Sequence, residues 1–415
     1  MIRQSATLAV NERIRAKLLA GEKVVHLGFG EAGLPVLPAI GEVLAASVDR
    51  NSYGPVAGSI TARAAAAGYF TRRGLTTNPD QVLFAPGSKA LLYALLAVLP
   101  GDVVLPQPSW VSYAAQAALV DKRVIGVPIP SEAGGVPDPD LLEQGLRAAR
   151  REGAQPGIMI VTLPDNPTGT LPSADLVKRV CEVADRHGLL VISDQIYGDL
   201  CHDAQVHSPA VDLPERTIIT AGLSKSMALG GYRIGFTRLP EGPLGRQMQA
   251  DLVGVASEVW SSLAAPMQQV AAHVLGEPPE VTAHIAASRR LHHAVASSVH
   301  REFIAAGVSC RPPQAAFYLY PDFAALQPTL AGFGVRSGAQ LAEFLLEHHG
   351  VGVLAGEEFG DDPAALRFRA ATSLLYGADP EQRWSALRSD DPTALPWIAD
   401  SLSHLRQALT ALTDG

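Results

Sequence analysis

The sequence predicts an α/β protein with a large domain, built on a mostly parallel sheet flanked by helices, and a smaller α+β domain. The middle of the chain alternates short apolar runs with helical patterns, which is typical of strand–helix–strand units. The last third changes character, and 415 residues suffice for two cores. We expect an N-terminal segment (1–45) that packs with the small domain, a large domain (46–280) and a C-terminal small domain (281–415).

Apolar runs predict the strands of the large domain. The run IMIVTL is apolar throughout, as in strands buried on both faces. A helix should follow Ser88, and another should begin at Ser173 and end at Gly188. Ligands bind such sheets at the carboxyl ends of the strands, so we expect functional residues directly after these runs. The predicted strands are Val82–Ala85, Val103–Leu105, Val124–Val127, Ile158–Leu163, Leu189–Ser193, Thr217–Ala221 and Ile234–Thr237.

The last third predicts the smaller α+β domain. A long helix should occupy most of 281–310 and end at Gly307. The segment Tyr376–Pro396 is rich in Asp, Pro, Arg and Ser, which predicts an excursion over the surface. The remaining predicted elements are strands Ala316–Tyr320 and Leu366–Ala371 and helices Gln340–His349 and Ile398–Leu412.

Composition excludes several classes of protein. The net charge of −8 argues against a dedicated nucleic-acid binder. No apolar run approaches the roughly 20 residues that span a bilayer, and the charged start of the chain predicts no signal peptide. Three widely separated cysteines, Cys181, Cys201 and Cys310, fit a reducing compartment. We therefore expect a cytoplasmic protein.

The stretch VVHLGFGEAG carries Gly28, Gly30 and Gly33 in the spacing of a dinucleotide-binding turn. That turn requires a helix to open at the third glycine, but Pro35 and Pro38 follow almost at once. No strand ending in an acidic residue follows at the required distance. The glycines therefore favour another kind of ligand.

Four motifs follow the apolar runs. They are Asn166-Pro167-Thr168-Gly169, Asp194-Gln195-Ile196-Tyr197, Ser224-Lys225 and Gly231-Tyr232-Arg233-Ile234-Gly235. In this order they resemble the fold-type-I enzymes that use pyridoxal 5′-phosphate (PLP), and more narrowly the class I/II aminotransferases of the aspartate aminotransferase-like superfamily. The resemblance extends over roughly residues 20 to 410, and it implies PLP as the cofactor.

PLP chemistry requires a lysine that forms a Schiff base. Of six lysines in the chain, only Lys225 follows a buried-looking strand beside Ser and Gly. The resemblance implies that Lys225 forms the Schiff base and shuttles the Cα proton, and that Asp194 keeps the pyridine nitrogen protonated. Taken alone, Asp194 fits an ordinary helix cap equally well. By resemblance Tyr197 and Asn166 bind the phenolic oxygen of PLP and help to set the pKa of the Schiff base.

The phosphate of PLP needs hydrogen-bond donors. Gly87, Ser88 and Lys89 lead into a predicted helix, whose N-terminal N–H groups and dipole suit an anion. The resemblance adds Arg233 and the hydroxyl of Ser224 to this site.

Two aromatic residues complete the expected cofactor site. Trp110 resembles the aromatic side chain that stacks on the pyridine ring, although a tryptophan of the core is the alternative. Tyr53 resembles the tyrosine that reaches the phosphate of the neighbouring subunit. That resemblance implies a homodimer with shared sites.

The substrate carboxylate should meet an arginine, because a guanidinium group binds a carboxylate through two parallel hydrogen bonds. We expect Arg367, whose offset from the Ala-Thr-Ser run matches the family, and Arg369 on the same strand face is its rival. The resemblance also places the backbone of Gly30 and the side chain of Asn166 at the substrate.

These expectations predict an aminotransferase that moves an amino group from an L-amino acid to a 2-oxo acid. The alternative is another PLP reaction on the same scaffold, such as β- or γ-elimination, replacement or cyclisation. The segment Ser257–Gln269 contains no arginine, which favours a neutral or mixed substrate side chain over a dedicated aspartate enzyme. The histidine pairs at 292–293 and 348–349 should lie on solvated helix faces, and we expect no metal.

Overall fold

The computed structural model of the chain describes residues 6–413. Its strands are β1 (Val25–His26), β2 (Val82–Pro86), β3 (Asp102–Gln107), β4 (Val124–Pro128), β5 (Pro156–Thr162), β6 (Leu190–Asp194), β7 (Thr217–Gly222), β8 (Ile234–Arg238), β9 (Tyr318–Leu319), β10 (Val351–Gly352), β11 (Leu354–Ala355) and β12 (Phe368–Ala371).

The helices alternate with these strands in the first two thirds of the chain. They are α1 (Ala6–Leu19), α2 (Pro38–Ala45), α3 (Ile60–Arg72), α4 (Ser88–Val98), α5 (Ser112–Leu119), α6 (Pro139–Arg151), α7 (Ala174–Arg186), α8 (Pro209–Asp212), α9 (Leu223–Ser226), α10 (Pro243–Val259), α11 (Ala265–Leu275), α12 (Pro279–Ala305), α13 (Gln327–Gly332), α14 (Gly338–His349), α15 (Pro380–Arg388) and α16 (Pro396–Thr413).

A seven-stranded sheet organises the large part of the molecule, in the order β2-β8-β7-β6-β5-β3-β4. All pairings are parallel except those of β8, which runs antiparallel to both of its neighbours. Every strand of this sheet overlaps one that the sequence predicts, so the predicted mostly parallel α/β architecture is confirmed.

Helices cover both faces of this sheet because its central strands are apolar on both sides. In β5, Ile158 and Ile160 face a core that includes residues of α4 and α10. Met159 and Val161 face the opposite core, which includes residues of α6 and α7. This alternation follows from the two-residue period of a strand. The buried sheet thereby fixes the positions of the loops at its carboxyl edge.

The start and the end of the chain share a separate core. β1 pairs in parallel with β10, through Val25 with Val351, while β11, β12 and β9 form an antiparallel sheet. Apolar residues from both ends, such as Leu27 and Leu405, lie in one cluster. In contrast, Ile40 of α2 packs with residues of α3 and α11. The domain boundaries at 45 and 280 stay a prediction.

The segment 376–396 is more ordered than expected. Asp379 caps α15 by accepting a hydrogen bond from the backbone N–H of Gln382 at 2.9 Å. Ala386 and Leu387 of this helix are buried in the same core as α12 and α16. The predicted surface excursion is therefore wrong for this part, because the Asp and Pro residues start a helix here.

The four histidines of the two pairs differ in their surroundings. His292 is buried, and its Nδ1 lies 2.6 Å from the hydroxyl of Tyr376, so a solvated position was the wrong expectation for this residue. His293 and His348 are exposed. Residues 6–413 contain no cluster of three His, Cys, Asp or Glu side chains suited to a metal ion. Within the same range, no helix is long and apolar enough to cross a membrane.

Candidate active site

A cavity of about 350 Å³ opens at the carboxyl edge of the large sheet, where β5 and β6 end at Thr162 and Asp194. It lies where sequence reasoning places the function. Most predicted site residues line it, namely Gly30, Ser88, Lys89, Trp110, Asn166, Asp194, Tyr197, Ser224, Lys225 and Arg233, together with Arg369. Tyr53 and Arg367 do not line it, and Gly87 lies directly before the lining residue Ser88.

Lys225 lies on the short helix α9 that follows β7. Its Nζ donates a hydrogen bond to the backbone carbonyl of Gly30. Burial, assisted by the charge of Arg369, lowers the pKa of this amine to about 8. A lowered pKa leaves more of the amine neutral near pH 7, and the neutral amine is the nucleophile.

Asp194 is the last residue of β6, and it is almost completely buried. Its Oδ2 accepts a hydrogen bond from the hydroxyl of Tyr113 at 2.9 Å, and its Oδ1 accepts one from the N–H of Ile196 at 3.2 Å. Burial raises the pKa of this carboxyl to about 6. No cationic side chain among residues 6–413 donates to it, so a positively charged ligand atom would offset the cost of its burial.

Asn166 lies between a phenol and a guanidinium group. Its Nδ2 donates to the hydroxyl oxygen of Tyr197 at 3.3 Å, and its Oδ1 accepts from Nη1 of Arg369 at 3.1 Å. Nη2 of Arg369 donates to the carbonyl of Gly28 at 3.1 Å. These contacts fix the orientation of the amide. They also connect the end of the large sheet, where Asn166 lies, with β12 and the N-terminal segment.

The structure corrects the choice between the two arginines. Arg367 precedes strand β12 and is paired outside the cavity, with Asp322 at 2.8 Å and Asp361 at 3.1 Å, while 38% of its side chain is exposed. Arg369 lies within β12, is 1% exposed and lines the cavity. The expectation of Arg367 at the ligand is therefore not met, since two acidic side chains already hold it elsewhere.

The N-terminus of α4 and Arg233 form a tight cradle at one side of the cavity. Gly87 precedes the helix with φ of +92°, a conformation that favours glycine, and a Cβ there would clash with the guanidinium group of Arg233. A Cβ on Gly235 would clash with the backbone of Gly87 and Ser88. The tight packing brings Arg233 against free N–H groups of the helix, which together suit a phosphate.

The glycine-rich stretch of the N-terminal segment contributes backbone atoms to the cavity. The carbonyls of Gly28 and Gly30 accept hydrogen bonds from Arg369 and Lys225. A Cβ on Gly30 would clash with the hydroxyl of Tyr318. β1 pairs with β10 and not with the large sheet, so the stretch has none of the context of a dinucleotide-binding turn.

Sequence reasoning missed two tyrosines of the cavity. Tyr113 donates to Asp194 and lies 2.8 Å from Oγ1 of Thr162, and Tyr318 lies 2.8 Å from the hydroxyl of Tyr197. Tyr113 stands only three residues after Trp110, which the sequence already places at the cofactor. Tyr318 lies in an apolar run that predicts only a strand.

The residues of the cavity fit PLP by their chemistry. The cradle at α4 suits its phosphate, the amine of Lys225 suits its aldehyde, and the buried carboxylate of Asp194 suits its ring nitrogen. The half-buried ring of Trp110 adds an aromatic wall. The fold and the cavity together indicate the class of protein, an enzyme that uses PLP.

Comparison with known proteins identifies the family. Residues 22–374 match the profile of aminotransferase class I and II. The chain is 31% identical, over 91% of its length and 79% of the relative's, to a bifunctional aspartate aminotransferase and glutamate/aspartate-prephenate aminotransferase of Petunia hybrida. It is also 31% identical to an aspartate aminotransferase of Geobacillus stearothermophilus, over 89% of this chain and 92% of that one. The chain therefore belongs to the aminotransferase class I and II family.

A solved structure supports the same conclusion at the level of the fold. The aspartate aminotransferase of Thermus thermophilus with maleate superposes with a TM-score of 0.80 and 26% identity, over 93% of this chain and 96% of that one. The protein is thus a PLP-dependent aminotransferase that acts on amino acids and 2-oxo acids. The relatives named here are aminotransferases, so the elimination, replacement and cyclisation alternatives have no support.

Proposed function

We propose that Lys225 is the amine that binds PLP and moves the proton at Cα of the amino acid. One observation carries this proposal: Lys225 is held in the same cavity as a buried carboxylate, an anion-binding cradle and a buried arginine. When bound, PLP supplies an electron sink for the carbon that bears the amino group. The neighbouring side chains then have to orient the substrate and hold protons in place.

We assign the cofactor contacts from the geometry of the cavity. Asp194 holds the proton on the ring nitrogen, and Tyr113 keeps this carboxylate in place. Asn166 and Tyr197 bind the phenolic oxygen, and Trp110 covers the ring. The phosphate lies in the cradle of Gly87, Ser88, the backbone of Lys89, the hydroxyl of Ser224 and Arg233.

Arg369 binds the α-carboxylate of the substrate in this proposal, and the backbone of Gly30 borders the same position. The guanidinium group is buried and its Nε has no hydrogen-bond partner among the described residues. Leu8, Phe29 and Trp110 add apolar surface to the cavity. This lining supports a substrate with a neutral or mixed side chain. The relatives' names point instead to aspartate and prephenate. Both kinds of substrate should therefore be tested in the first activity assays.

We further propose that the active unit is a homodimer in which Tyr53 reaches the neighbouring site. The side chain of Tyr53 is 91% exposed and has no hydrogen-bond partner among residues 6–413. The end of its loop is held at the start of α3, where buried Gln268 accepts a hydrogen bond from the N–H of Ser59 at 2.6 Å. The exposure of an unpartnered tyrosine supports a contact of Tyr53 with a second subunit.

A cytoplasmic location is also proposed. The three cysteines are free thiols, and two of them, Cys181 and Cys201, are buried. Free cysteines are typical of proteins in a reducing compartment.

The proposed role of Lys225 is tested by spectroscopy. Purified protein should be yellow, and L-amino acids that are substrates should bleach the visible band as pyridoxamine phosphate accumulates. Lys225→Ala should lose the band and at least about 10³-fold in turnover, since it lacks both the nucleophile and the proton carrier. Lys178→Ala, on the exposed face of α7, serves as the matched control. A yellow, active Lys225→Ala protein would contradict the assignment.

A further inference from the structure

Tyr318 occupies a position that none of the roles above explains. It lies on the short strand β9, is 1% exposed and lines the cavity. Its hydroxyl is 2.8 Å from the hydroxyl of Tyr197 and 3.5 Å from the carbonyl of Gly30. In a purely structural role, the hydroxyl of a buried tyrosine needs one hydrogen-bond partner. The hydroxyl of Tyr318 instead lies between Tyr197 and the carbonyl of Gly30 in the N-terminal segment.

The hydrogen bonds around Tyr197 can be counted. The orientation of Asn166 is set by Arg369, which donates to its Oδ1, so Nδ2 is the group that faces Tyr197. Tyr197 therefore accepts one hydrogen bond from an amide that cannot reverse its role. The remaining contact of its hydroxyl among the described residues is with Tyr318.

The direction of the bond between the two phenols follows from the other acceptors nearby. The carbonyl of Gly30 already accepts from Lys225, and it is 0.7 Å farther from Tyr318 than the hydroxyl of Tyr197 is (3.5 against 2.8 Å). Tyr318 thus has its best acceptor in the oxygen of Tyr197. The proton of Tyr197 is then left without an acceptor among the described residues, and it is free to point into the cavity.

The ring of Tyr318 has a second contact. The guanidinium carbon of Arg369 lies 4.9 Å from the centre of this ring, within the range of a cation–π interaction, and Phe359 lies at 5.0 Å from the same carbon. The clash that a Cβ on Gly30 would make with the hydroxyl of Tyr318 shows how closely the N-terminal segment packs on it. The side chain of Tyr318 therefore contacts Arg369, Tyr197 and the N-terminal segment.

We propose that Tyr318 is a positioning residue that makes Tyr197 a hydrogen-bond donor to the phenolic oxygen of PLP. A phenol that accepts two hydrogen bonds donates its own proton more strongly, because hydrogen bonds in a chain polarise one another. A stronger donor stabilises the negative charge on the phenolic oxygen. The nitrogen of Lys225, once joined to PLP, then loses its proton at lower pH. This inference rests on the proposed roles of Lys225 and Tyr197.

Tyr318→Phe tests the hydroxyl and keeps the ring on Arg369. The visible absorbance of the PLP-bound protein is titrated with pH in the absence of substrate. We expect the midpoint of the spectral change to rise by about half a pH unit or more, as the loss of one hydrogen bond predicts. Tyr320→Phe is the matched control, because its hydroxyl bonds to Asp361 at 2.8 Å outside the cavity, and its midpoint should not move.

A second pair of variants shows that the effect passes through Tyr197. In a Tyr197→Phe background, Tyr318→Phe should cause no further shift of the midpoint. An unchanged midpoint in Tyr318→Phe, or the same shift with and without Tyr197, would overturn the inference. A wild-type protein that forms no visible band with PLP would instead defeat the proposed function itself.

Discussion

Arg369 is a buried cation whose hydrogen-bond partners among the described residues are neutral. Its hydrogen bonds go to an amide oxygen and a backbone carbonyl, and aromatic rings cover its faces. Burial lowers the pKa of this guanidinium group from its ordinary value, yet the group stays charged at every pH of interest. An isolated buried charge is costly, and a substrate carboxylate would offset that cost.

The two neighbouring arginines allow a matched test of this idea. Arg369→Lys keeps the charge but loses the planar pair of donors, so KM for amino acid and 2-oxo acid should rise about 10- to 100-fold. Arg367→Lys should change KM less than about twofold, because this arginine serves a partly buried ion-pair network outside the cavity. Steady-state kinetics with both substrates measures the difference. A larger effect at position 367 would restore the original expectation.

Single residues show where sequence reasoning reaches its limit. Lys225 was identified because few lysines compete and one follows a strand. Arg367 is preferred from the sequence because its offset from the Ala-Thr-Ser run matches the family, but β12 begins only at Phe368, and it is Arg369 within this strand that lines the cavity. Tyr318 could not be found, because an aromatic residue in an apolar run looks the same whether it packs in a core or lines a cavity.

At the level of elements, the strands were the most predictable part. Strands buried on both faces must be apolar throughout, and that leaves a signal in the sequence, as in β5. The antiparallel direction of β8 leaves no such signal, since the direction depends on how the chain returns to the sheet. Helix α15 was missed because its capping Asp379 and Pro380 were read as the composition of a loop.

The contact between β8 and the start of α4 is an element-scale prediction. Gly235→Ala would force its Cβ against the backbone of Gly87 and Ser88, so the phosphate cradle must shift. We expect the affinity for PLP to fall about tenfold or more, in the range that overpacking costs. Gly231→Ala, four residues earlier, meets open space and should bind PLP as the wild type does. Equal PLP affinities of the two variants would contradict the proposed role of the cradle in binding the phosphate. Thermal denaturation of both apoproteins would control for folding.

At the scale of the whole molecule, exposed apolar side chains stand between the end of α2 and the start of α3. Val48, Tyr53 and Ile60 are 81, 91 and 62% exposed. These three exposed side chains lie within 13 residues of sequence, and their burial against a second subunit would remove apolar surface from water. Their positions coincide with the loop that is proposed to reach the neighbouring site.

Hybrid dimers test whether sites are shared. Lys225→Ala and Tyr53→Ala chains, co-expressed with different tags, should each be nearly inactive alone at limiting PLP. In a hybrid, one site combines both wild-type residues, so a 1:1 mixture should recover about a quarter of the wild-type activity. The control is the co-expression of two Lys225→Ala chains that carry the two different tags. Activity no higher than the mean of the two parents would show that each chain completes its own site.

The pairing of β1 with β10 has a consequence for how the enzyme is made. The phosphate cradle and Lys225 come from one continuous stretch, between Gly87 and Gly235. The side that holds Arg369 needs Gly28 from the beginning of the chain and β12 from near its end. Contacts so far apart in sequence form late, and a ribosome delivers the N-terminal partner first. The emerging chain therefore completes its cofactor side 207 residues after Gly28 (235 − 28), and well before its substrate side exists.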